Sequence, residues 1–300
     1  MVSEMKILIT GSNGQLGSEL IRQLASRRSP LGEIPEEYIG ASVTGVDIDS
    51  IDISDAGAVS SYILENEFNL IFNCAAYTDV DGCESNRLMA YRVNADAPGY
   101  IAEAAKKLSA RLVHISTDYV FSGDNPTPRI ETDETAPNTV YGKSKLYGEQ
   151  RVLESGADAV IVRTAWLYGL NGRNFVKTIM KAGREKGVLR VVNDQTGNPT
   201  NAADLAYHLL RLAIAGYQGI FHCTNNGICS WYDFAVKIIK EAGITAEVYP
   251  CSTMEYPRPA PRPAYSALDN RRLRETIGDK MRLWQTAIDE YIVELRKLEV

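Results

Sequence analysis

The fold of this 300-residue chain is indicated most clearly by the stretch Lys6-Ile-Leu-Ile-Thr10-Gly11-Ser-Asn13-Gly14-Gln15-Leu16-Gly17. An apolar run typical of a buried strand leads into three glycines, each three residues after the last, and a helical pattern follows at once. Glycine permits a tight turn and a close approach of the backbone, and the free N–H groups at the start of a helix attract phosphate. The stretch therefore predicts a strand, a turn and a helix that bind the pyrophosphate of a dinucleotide.

Apolar strand-like runs alternate with helical patterns along the rest of the chain. Strands are predicted at Lys6–Thr10, Ser42–Val46, Leu70–Cys74, Arg111–Ile115, Ala159–Val162, Arg190–Val192 and Gly219–Cys223. Helices are predicted at residues 15–28, 55–65, 86–107, 141–154, 174–185, 202–215, 231–242 and 284–298. This alternation is typical of a parallel sheet whose two faces are covered by helices.

The pattern predicts an α/β protein, a Rossmann-type doubly wound parallel sheet with a smaller C-terminal substrate-binding lobe. The dinucleotide-binding domain is expected at residues 1–165 and the lobe largely at residues 166–300, with residues 190–225 returning to the main sheet. Residues 29–41 carry two prolines and three acidic residues, and they are expected to form a solvent-exposed insertion rather than a binding loop. Residues 256–263 carry four prolines and are expected to be extended or turn-like.

Composition narrows the class of protein. The net charge is −6 and charged residues are spread along the chain, which argues against a nucleic-acid partner. No apolar run is long enough for a membrane span or a signal peptide. Five scattered cysteines indicate reduced thiols and a cytoplasmic location rather than a disulfide framework. Cys223 and Cys229 lie beside His222, but without a paired Cys-x-x-Cys motif we expect no metal there.

An acidic residue follows the second predicted strand. The Asp47 carboxylate is placed to accept both ribose hydroxyls of an adenosine and to repel a 2′-phosphate. Neither Lys nor Arg occurs between Ala41 and Arg87, so the sequence favours NADH slightly over NADPH. Asp52 and Ile53 are expected to border the adenine, although Asp52 fits equally well as the cap of the next helix.

The candidate catalytic residues follow the fourth predicted strand, which ends in Ser116-Thr117-Asp118-Tyr119. Tyr141 and Lys145 lie farther along, at the start of a helix, and positions four apart share one helical face. A cation beside the phenol, together with an oxidised nicotinamide, would draw the Tyr141 pKa towards neutral pH. The pair alone occurs at close to chance frequency, and its weight comes from its position after a strand-end hydroxyl and a glycine cradle.

These glycines, Thr117 and Tyr141-x-x-x-Lys145 resemble the extended short-chain dehydrogenase/reductase superfamily. The runs Asn73–Asp81, Ser116–Phe121, Arg163–Gly169 and Asp194–Thr200 resemble its dTDP-4-dehydrorhamnose reductase family, over essentially the whole chain. The resemblance implies that NADH or NADPH delivers a hydride to C4 of dTDP-4-dehydro-L-rhamnose to form dTDP-L-rhamnose. It implies that Tyr141 protonates the alkoxide, Thr117 hydrogen-bonds the carbonyl oxygen, and Lys145 tunes Tyr141 and binds the ribose.

The resemblance also assigns residues to the two ends of the site. The cofactor cleft would include Ala75, Ala76 and Tyr77. The sugar would lie near Thr78, Val80, Thr117, Asp118 and Trp166, with Asn174, Gln195 and Arg262 as further substrate candidates. Trp166 would offer the sugar a flat apolar wall, although core packing explains an apolar Trp as well. The Arg262 guanidinium matches a pyrophosphate, although a solvated loop arginine is a close alternative.

Several functional alternatives stay open. Related 4,6-dehydratases carry Asp-Glu after the strand-end Thr, but here Tyr119 follows Asp118, which disfavours dehydration. Glu19 matches a glutamate of the Mg²⁺-bridged dimers of some rhamnose-pathway reductases, but Ala203 stands at a second such position, so no metal is expected. The partner would be a dTDP-sugar, and the protein a monomer or homodimer. A reductase or epimerase for another nucleotide 4-keto-sugar, or a non-catalytic subunit like the regulatory subunit of methionine adenosyltransferase, remains possible.

Overall fold

The structure is a computed structural model that describes residues 5–298, so the outermost ends of the two predicted domains lie outside the described residues. Its longer strands are β1 Lys6–Thr10, β2 Ser42–Val46, β3 Leu70–Asn73, β4 Arg111–Thr117, β5 Ala159–Thr164, β6 Val188–Val192, β7 Gly219–His222 and β8 Glu247–Cys251. Its α-helices are α1 Gln15–Ser26, α2 Ala56–Asn66, α3 Val80–Ser85, α4 Arg87–Tyr91, α5 Ala97–Leu108, α6 Val140–Ser155, α7 Phe175–Lys186, α8 Ala202–Ile214, α9 Trp231–Glu241, α10 Arg271–Ile277 and α11 Trp284–Leu298.

Six strands form one parallel sheet in the order β7-β5-β4-β3-β1-β2. The four inner strands β1, β3, β4 and β5 carry buried side chains on both faces. One face of the sheet packs against helices that include α1 and α8, and the other packs against α2 and α5. The chain leaves β1 towards one edge to form β2 and then returns to form β3 on the other side, which creates a crevice at the carboxyl ends of β1 and β3. The predicted α/β class and Rossmann-type sheet are confirmed.

A smaller lobe covers the carboxyl end of this sheet. Strands β6 and β8 pair in parallel, and helices α7, α9 and α11 pack around them with a core of their own. The prediction that strand Arg190–Val192 returns to the main sheet is wrong, because it buries only alternate residues, Leu189 and Val191, and therefore packs on one face only. Strand β7 and helix α8 do return to the main sheet as expected.

The insertion at residues 29–41 is only partly exposed. Arg28–Ser29 and Gly32–Glu33 form a short antiparallel hairpin on the surface. Ile34 and Tyr38 are 3% exposed, and the Tyr38 hydroxyl donates a hydrogen bond to the Leu210 carbonyl of α8 at 2.7 Å. The expected solvent-exposed insertion is therefore corrected for these two side chains, which anchor it to the main core.

One long predicted helix is interrupted. The pattern at residues 86–107 forms α4, a π-helical turn at Arg92–Asp96, and α5, which has Pro98 in its first turn. Proline lacks a backbone N–H and interrupts the hydrogen bonds of a helix interior, but it is tolerated in a first turn. The π turn, with its extra residue, lies directly before Pro98 and separates α4 from α5. Within residues 5–298, no helix is both long and apolar enough to cross a bilayer.

Candidate active site

The glycine turn after β1 lies at the crevice between β1 and β3. Gly11 has φ +65°, and a Cβ on it would lie 2.8 Å from the Ala75 backbone. A Cβ on Gly17 would lie 2.8 Å from the Ser12 Cα and would overlap the Gly11 carbonyl oxygen. Helix α1 starts after Gly14, whose position provides no side-chain cap, so its first N–H groups point out of the turn. Backbone packed this closely around a helix start fits a pyrophosphate.

Asp47 is tied to this turn. Its Oδ2 accepts a hydrogen bond from the Asn13 N–H at 3.0 Å, and its Oδ1 accepts one from the Ile48 N–H at 2.9 Å. Each carboxylate oxygen keeps a lone pair for a further donor, since one hydrogen bond does not saturate it. Asp47 therefore stabilises the glycine turn through Asn13 and can still accept a hydrogen bond from a ligand at the edge of the turn.

The structure separates the two interpretations of Asp52. Asp55, not Asp52, caps α2 by accepting from the Ala58 N–H at 2.9 Å. Asp52 accepts from the Ser54 N–H instead, and that hydrogen bond lowers the pKa of Asp52, with a smaller contribution from Arg92. The π-helical turn thus places Arg92 near Asp52. The sequence analysis did not find this cation because it lies beyond the interval from residue 41 to residue 87.

A cleft of about 1020 Å³ runs from the glycine turn to the small lobe. All predicted cofactor residues except Asn13 line it, as do Thr78, Val80, Thr117, Asp118 and Trp166 among the predicted substrate residues. We call the part around Gly11, Gly14, Gly17 and Asp47 the glycine end. We call the part around Trp166 and Trp231 the tryptophan end.

The three predicted catalytic residues meet in the middle of this cleft. The Thr139 side chain caps α6, so Tyr141 and Lys145 occupy its first two turns on the side of the β4 end. The Lys145 ammonium donates a hydrogen bond to the Ile115 carbonyl at 2.6 Å. Burial lowers the pKa of Lys145 to about 8, and the Glu149 carboxylate opposes that shift. The ammonium is the main form at neutral pH, with part of its donor capacity free in the cleft.

Tyr141 has a pKa above the usual value of a phenol. Burial is the largest cause, and the Thr117 hydroxyl beside the phenol acts in the opposite direction. The Tyr119 ring packs edge-on against Tyr141, with 5.4 Å between centroids. Among the protein's own groups, burial and the nearby Asp118 thus outweigh the lowering by Thr117, so the phenol carries its proton at neutral pH. A protonated phenol can donate a proton to an oxyanion in the cleft.

Asp118 is a buried carboxyl next to these groups. The Thr117 hydroxyl donates a hydrogen bond to Asp118 Oδ1 at 2.8 Å. Burial raises the pKa of Asp118 to about 6, while hydrogen bonds from Thr117 and Ser266 act to lower it. The single proton of the Thr117 hydroxyl is therefore held by Asp118 and must turn away to reach any other acceptor.

Three predicted substrate residues lie outside the cleft lining. Asn174 caps α7 by accepting from the Lys177 N–H, and its amide donates to the Gly169 carbonyl at 2.8 Å. Gln195 donates from its side chain to the Thr253 hydroxyl at 3.0 Å. Arg262 pairs with Asp81 at 2.9 Å, which fastens the proline-rich stretch to the start of α3. Each has a partner within the protein and lies outside the lining of the cleft, and the placement of these three at the substrate stays a prediction.

Sequence reasoning missed Asn94, Trp231 and Arg173. Asn94 lies in the π-helical turn, where its Oδ1 accepts from the Tyr77 N–H at 2.8 Å and its Nδ2 donates to Ser144 at 3.2 Å. It thereby joins the cleft wall to α6. Trp231 and Arg173 line the cleft from the small lobe. No local motif marks them, because only the docking of the lobe brings them to the sheet.

The residues considered for a metal have other partners. The Glu19 carboxylate accepts from Arg22 at 2.6 Å and from Gln23 at 2.7 Å, and Gln23 also donates to the Ala203 carbonyl. The His222 ring faces the Arg129 carbonyl at 3.0 Å. Across residues 5–298, no group of three His, Cys, Asp or Glu side chains is arranged to hold a metal ion.

Comparisons with known proteins agree with this architecture. Residues 5–297 match the family described as the RmlD substrate binding domain. The dTDP-4-dehydrorhamnose reductase of Mycobacterium tuberculosis is 42% identical over 290 residues, which are 94% of this chain and 91% of that protein. A probable dTDP-4,6-dihydroxy-2-methyloxan-3-one 4-ketoreductase of Streptomyces antibioticus is 39% identical over 298 residues, 98% of this chain and 97% of that protein. The crystal structure of Bacillus anthracis dTDP-4-dehydrorhamnose reductase in complex with NADP has a TM-score of 0.89 at 38% identity, covering 97% of this chain and 99% of that chain.

Proposed function

Because the chain belongs to the family of the RmlD substrate binding domain, we propose that it is an oxidoreductase that reduces the C4 keto group of dTDP-4-dehydro-L-rhamnose to form dTDP-L-rhamnose. The observation that carries the proposal is the meeting of Thr117, Tyr141 and Lys145 between the glycine end and the tryptophan end of one cleft. The reaction needs a cofactor pyrophosphate held at one end, a sugar held at the other, and a proton donor between them.

A bound nicotinamide cofactor would supply the hydride that C4 receives. Tyr141 gives its phenolic proton to the C4 oxygen, so that one hydride and one proton convert the ketone to an alcohol. Lys145 lies one helical turn away, where its ammonium binds the cofactor ribose and stabilises the phenolate that remains. Thr117 turns its hydroxyl from Asp118 to the C4 oxygen and orients the carbonyl. The raised pKa of Tyr141 supports this direction of transfer, since the phenol begins protonated.

The cofactor preference is a finer proposal. The chain would use NADH somewhat better than NADPH, because the Asp47 carboxylate at the rim would repel a 2′-phosphate. The relative from Bacillus anthracis, whose structure contains NADP, is evidence that this family also accepts the phosphorylated cofactor. Arg92 lies close enough to Asp52 to lower its pKa, so this cation is near the same edge of the cleft. Its charge would attract a 2′-phosphate and so weaken the preference for NADH.

A second candidate substrate is another nucleotide 4-keto-sugar. The ketoreductase of Streptomyces antibioticus is nearly as similar as the rhamnose enzyme and is named for a different keto-sugar. The regulatory-subunit alternative is less well supported, because a scaffold does not need a proton donor beside a lysine in a cleft. A dTDP-sugar partner, a cytoplasmic location and a monomeric or homodimeric state complete the proposal.

The deciding experiment measures oxidation of NADH and of NADPH with dTDP-4-dehydro-L-rhamnose. We expect turnover by the wild type and a loss of about 10² to 10⁴ in kcat for Tyr141→Phe, the range that general acid catalysis contributes. Tyr147→Phe is the matched control, since Tyr147 lies on the same helix but is 51% exposed and outside the cleft lining. No turnover by the wild type would overturn the proposed reaction. Turnover by Tyr141→Phe at the rate of the control would overturn the proton donor.

A further inference from the structure

Trp166 has an unusual backbone conformation. Its φ is +47°, a region that side chains other than glycine rarely adopt. Within residues 5–298, the other non-glycine residues with positive φ are Arg27, Glu67 and Ser109, and each of them ends a helix. Trp166 ends no helix and lies in the cleft wall. A strained residue persists only where its surroundings hold it, and such positions cluster at functional sites.

The surroundings that hold Trp166 come from three other segments. The Trp231 ring stacks on it, with centroids 3.5 Å apart and planes 5° apart. The indole N–H donates to the Ser266 hydroxyl at 3.2 Å. Gly197 lies directly against the indole, since a Cβ there would come within 2.7 Å of the ring. The Trp166 carbonyl accepts from the Thr200 N–H at 3.1 Å, which restrains the backbone as well.

Trp231 is itself held from behind. It is the first residue of α9, whose start carries a capping box formed by Ser230 and Asp233. The Phe175 ring centroid lies 4.4 Å from that of Trp231, and the backbone N–H of Trp231 donates to the Gln195 carbonyl. The position of the small lobe therefore determines where the Trp231 ring lies against Trp166 in the cleft wall.

The tryptophan end is also joined to the reacting groups. The Ser266 hydroxyl accepts from the Trp166 indole N–H and acts to lower the pKa of the buried Asp118 carboxyl, which accepts from Thr117. A displacement of the Trp166 ring would therefore move the wall relative to Thr117 and change the surroundings of the carboxyl that holds the Thr117 hydroxyl. The wall is flat and apolar, and its one polar edge is already used by Ser266.

We propose that Trp231 is a positioning residue that fixes the Trp166 ring as a rigid wall for the apolar face of a 6-deoxysugar, and that the pair thereby determines specificity for the sugar. This inference rests on the proposed function for the identity of the sugar. A 6-deoxyhexose carries a methyl group at C5, and a flat ring without free donors fits C–H groups better than hydroxyls. On this proposal the stack contacts the sugar and not the nucleotide part of the substrate.

The test compares the affinities of dTDP-L-rhamnose and of dTDP alone, measured by calorimetry on the whole protein. In Trp231→Leu we expect the preference for dTDP-L-rhamnose over dTDP to fall by about tenfold, at the upper part of what an aromatic pair contributes. The affinity for dTDP and for the cofactor should stay within about twofold. Trp231→Phe, which keeps an aromatic ring, should retain most of the preference. The KM for the keto-sugar should rise only slightly in Trp231→Phe and more in Trp231→Leu.

Trp284→Phe is the matched control for a general loss of packing. Trp284 is a buried tryptophan of the same lobe, and it contacts Phe234 but does not line the cleft. It should lower the melting temperature without changing the preference for dTDP-L-rhamnose. If Trp231→Leu keeps the wild-type preference, or loses affinity for dTDP and dTDP-L-rhamnose by the same factor, the inference is overturned.

A crystal structure of Trp231→Leu tests the stack without any substrate. We expect Trp166 to leave the positive φ region or to adopt more than one ring orientation. A Trp166 unchanged in φ and ring position would overturn the positioning role. Failure of the wild type to reduce dTDP-4-dehydro-L-rhamnose would instead overturn the proposed reaction. The conformation of Trp166 in Trp231→Leu does not depend on that outcome and tests the positioning role separately.

Discussion

At the glycine end the wall of the cleft is mainly the backbone of one continuous turn, with the Asp47 side chain at its rim, whereas at the tryptophan end it is made of side chains from distant segments. The turn from Gly11 to Gly17 packs on its own helix and on the neighbouring strand. Trp166 is held by Trp231 and by Ser266, which follows it by 100 residues. The first end forms when one strand–turn–helix unit forms. The second exists only after the small lobe has docked.

This difference has a functional consequence. A backbone cradle recognises what every dinucleotide shares, because N–H groups and glycines do not vary with the side chains around them. A wall of side chains can change with each substitution, so it can adapt to different sugars while the cradle stays the same. Variants at the two ends should therefore affect different ligands.

The largest effect is expected at the glycine end. In Gly17→Ala the new Cβ would overlap the Gly11 carbonyl, so the turn must open and the pyrophosphate cradle is lost. We expect cofactor affinity to fall by at least about 100-fold, since a core overlap of this kind cannot relax locally. Fluorescence titration with NADH measures it. Gly57→Ala on α2 is the control, because its Cβ would meet only the Asp55 side chain at 3.3 Å. Equal affinities in the two variants would contradict the role of the cradle.

A second prediction concerns the groups between the two ends. The Lys145 pKa of about 8 lies below its usual value, so the ammonium is present below that pH and is lost as the pH rises through it. We expect kcat/KM to fall by about tenfold per pH unit above this point, because the neutral amine neither holds the ribose nor stabilises the phenolate. A pH profile of the wild type checks the position of the fall.

Two variants of α6 sharpen this result. Lys145→Arg keeps the charge and should move the alkaline fall to higher pH, since guanidinium does not titrate in this range. Lys143→Met removes an exposed lysine of the same helix and should leave the profile unchanged. An unchanged profile in Lys145→Arg would show that another group titrates.

The smallest effect is expected at the rim of the glycine end. Asp47→Asn keeps the size of the side chain but removes its charge. It should raise the ratio of kcat/KM for NADPH to that for NADH by about three- to tenfold, as expected for one partly exposed charge near a phosphate. Steady-state kinetics with both cofactors measures the ratio. Asp49→Asn serves as the control, since Asp49 is exposed and outside the cleft lining. A ratio that does not move in Asp47→Asn would remove the basis for favouring NADH.

The local parts of the site were predictable from the sequence. The glycine turn, Asp47 and the Tyr141–Lys145 pair depend on spacings within one strand–turn–helix unit or one helix, and they line the cleft as expected. The partners of Asn174, Gln195 and Arg262 could not be predicted from the sequence, because packing brings them to Gly169, Thr253 and Asp81. Strand β8 was missed because Pro250 and its charged and exposed residues weaken the strand pattern.

The alternation of most strands and helices, the glycine turn and the spacing of Tyr141 and Lys145 on one helix follow from the sequence alone, because backbone sterics and helical periodicity act over a few residues. The tertiary structure decided the protonation of Tyr141, the raised pKa of Asp118, the place of Asn94 and the stacking of Trp231 on Trp166. Burial and ring contact depend on which distant segments meet, and that is settled only when the lobe closes over the carboxyl end of the sheet.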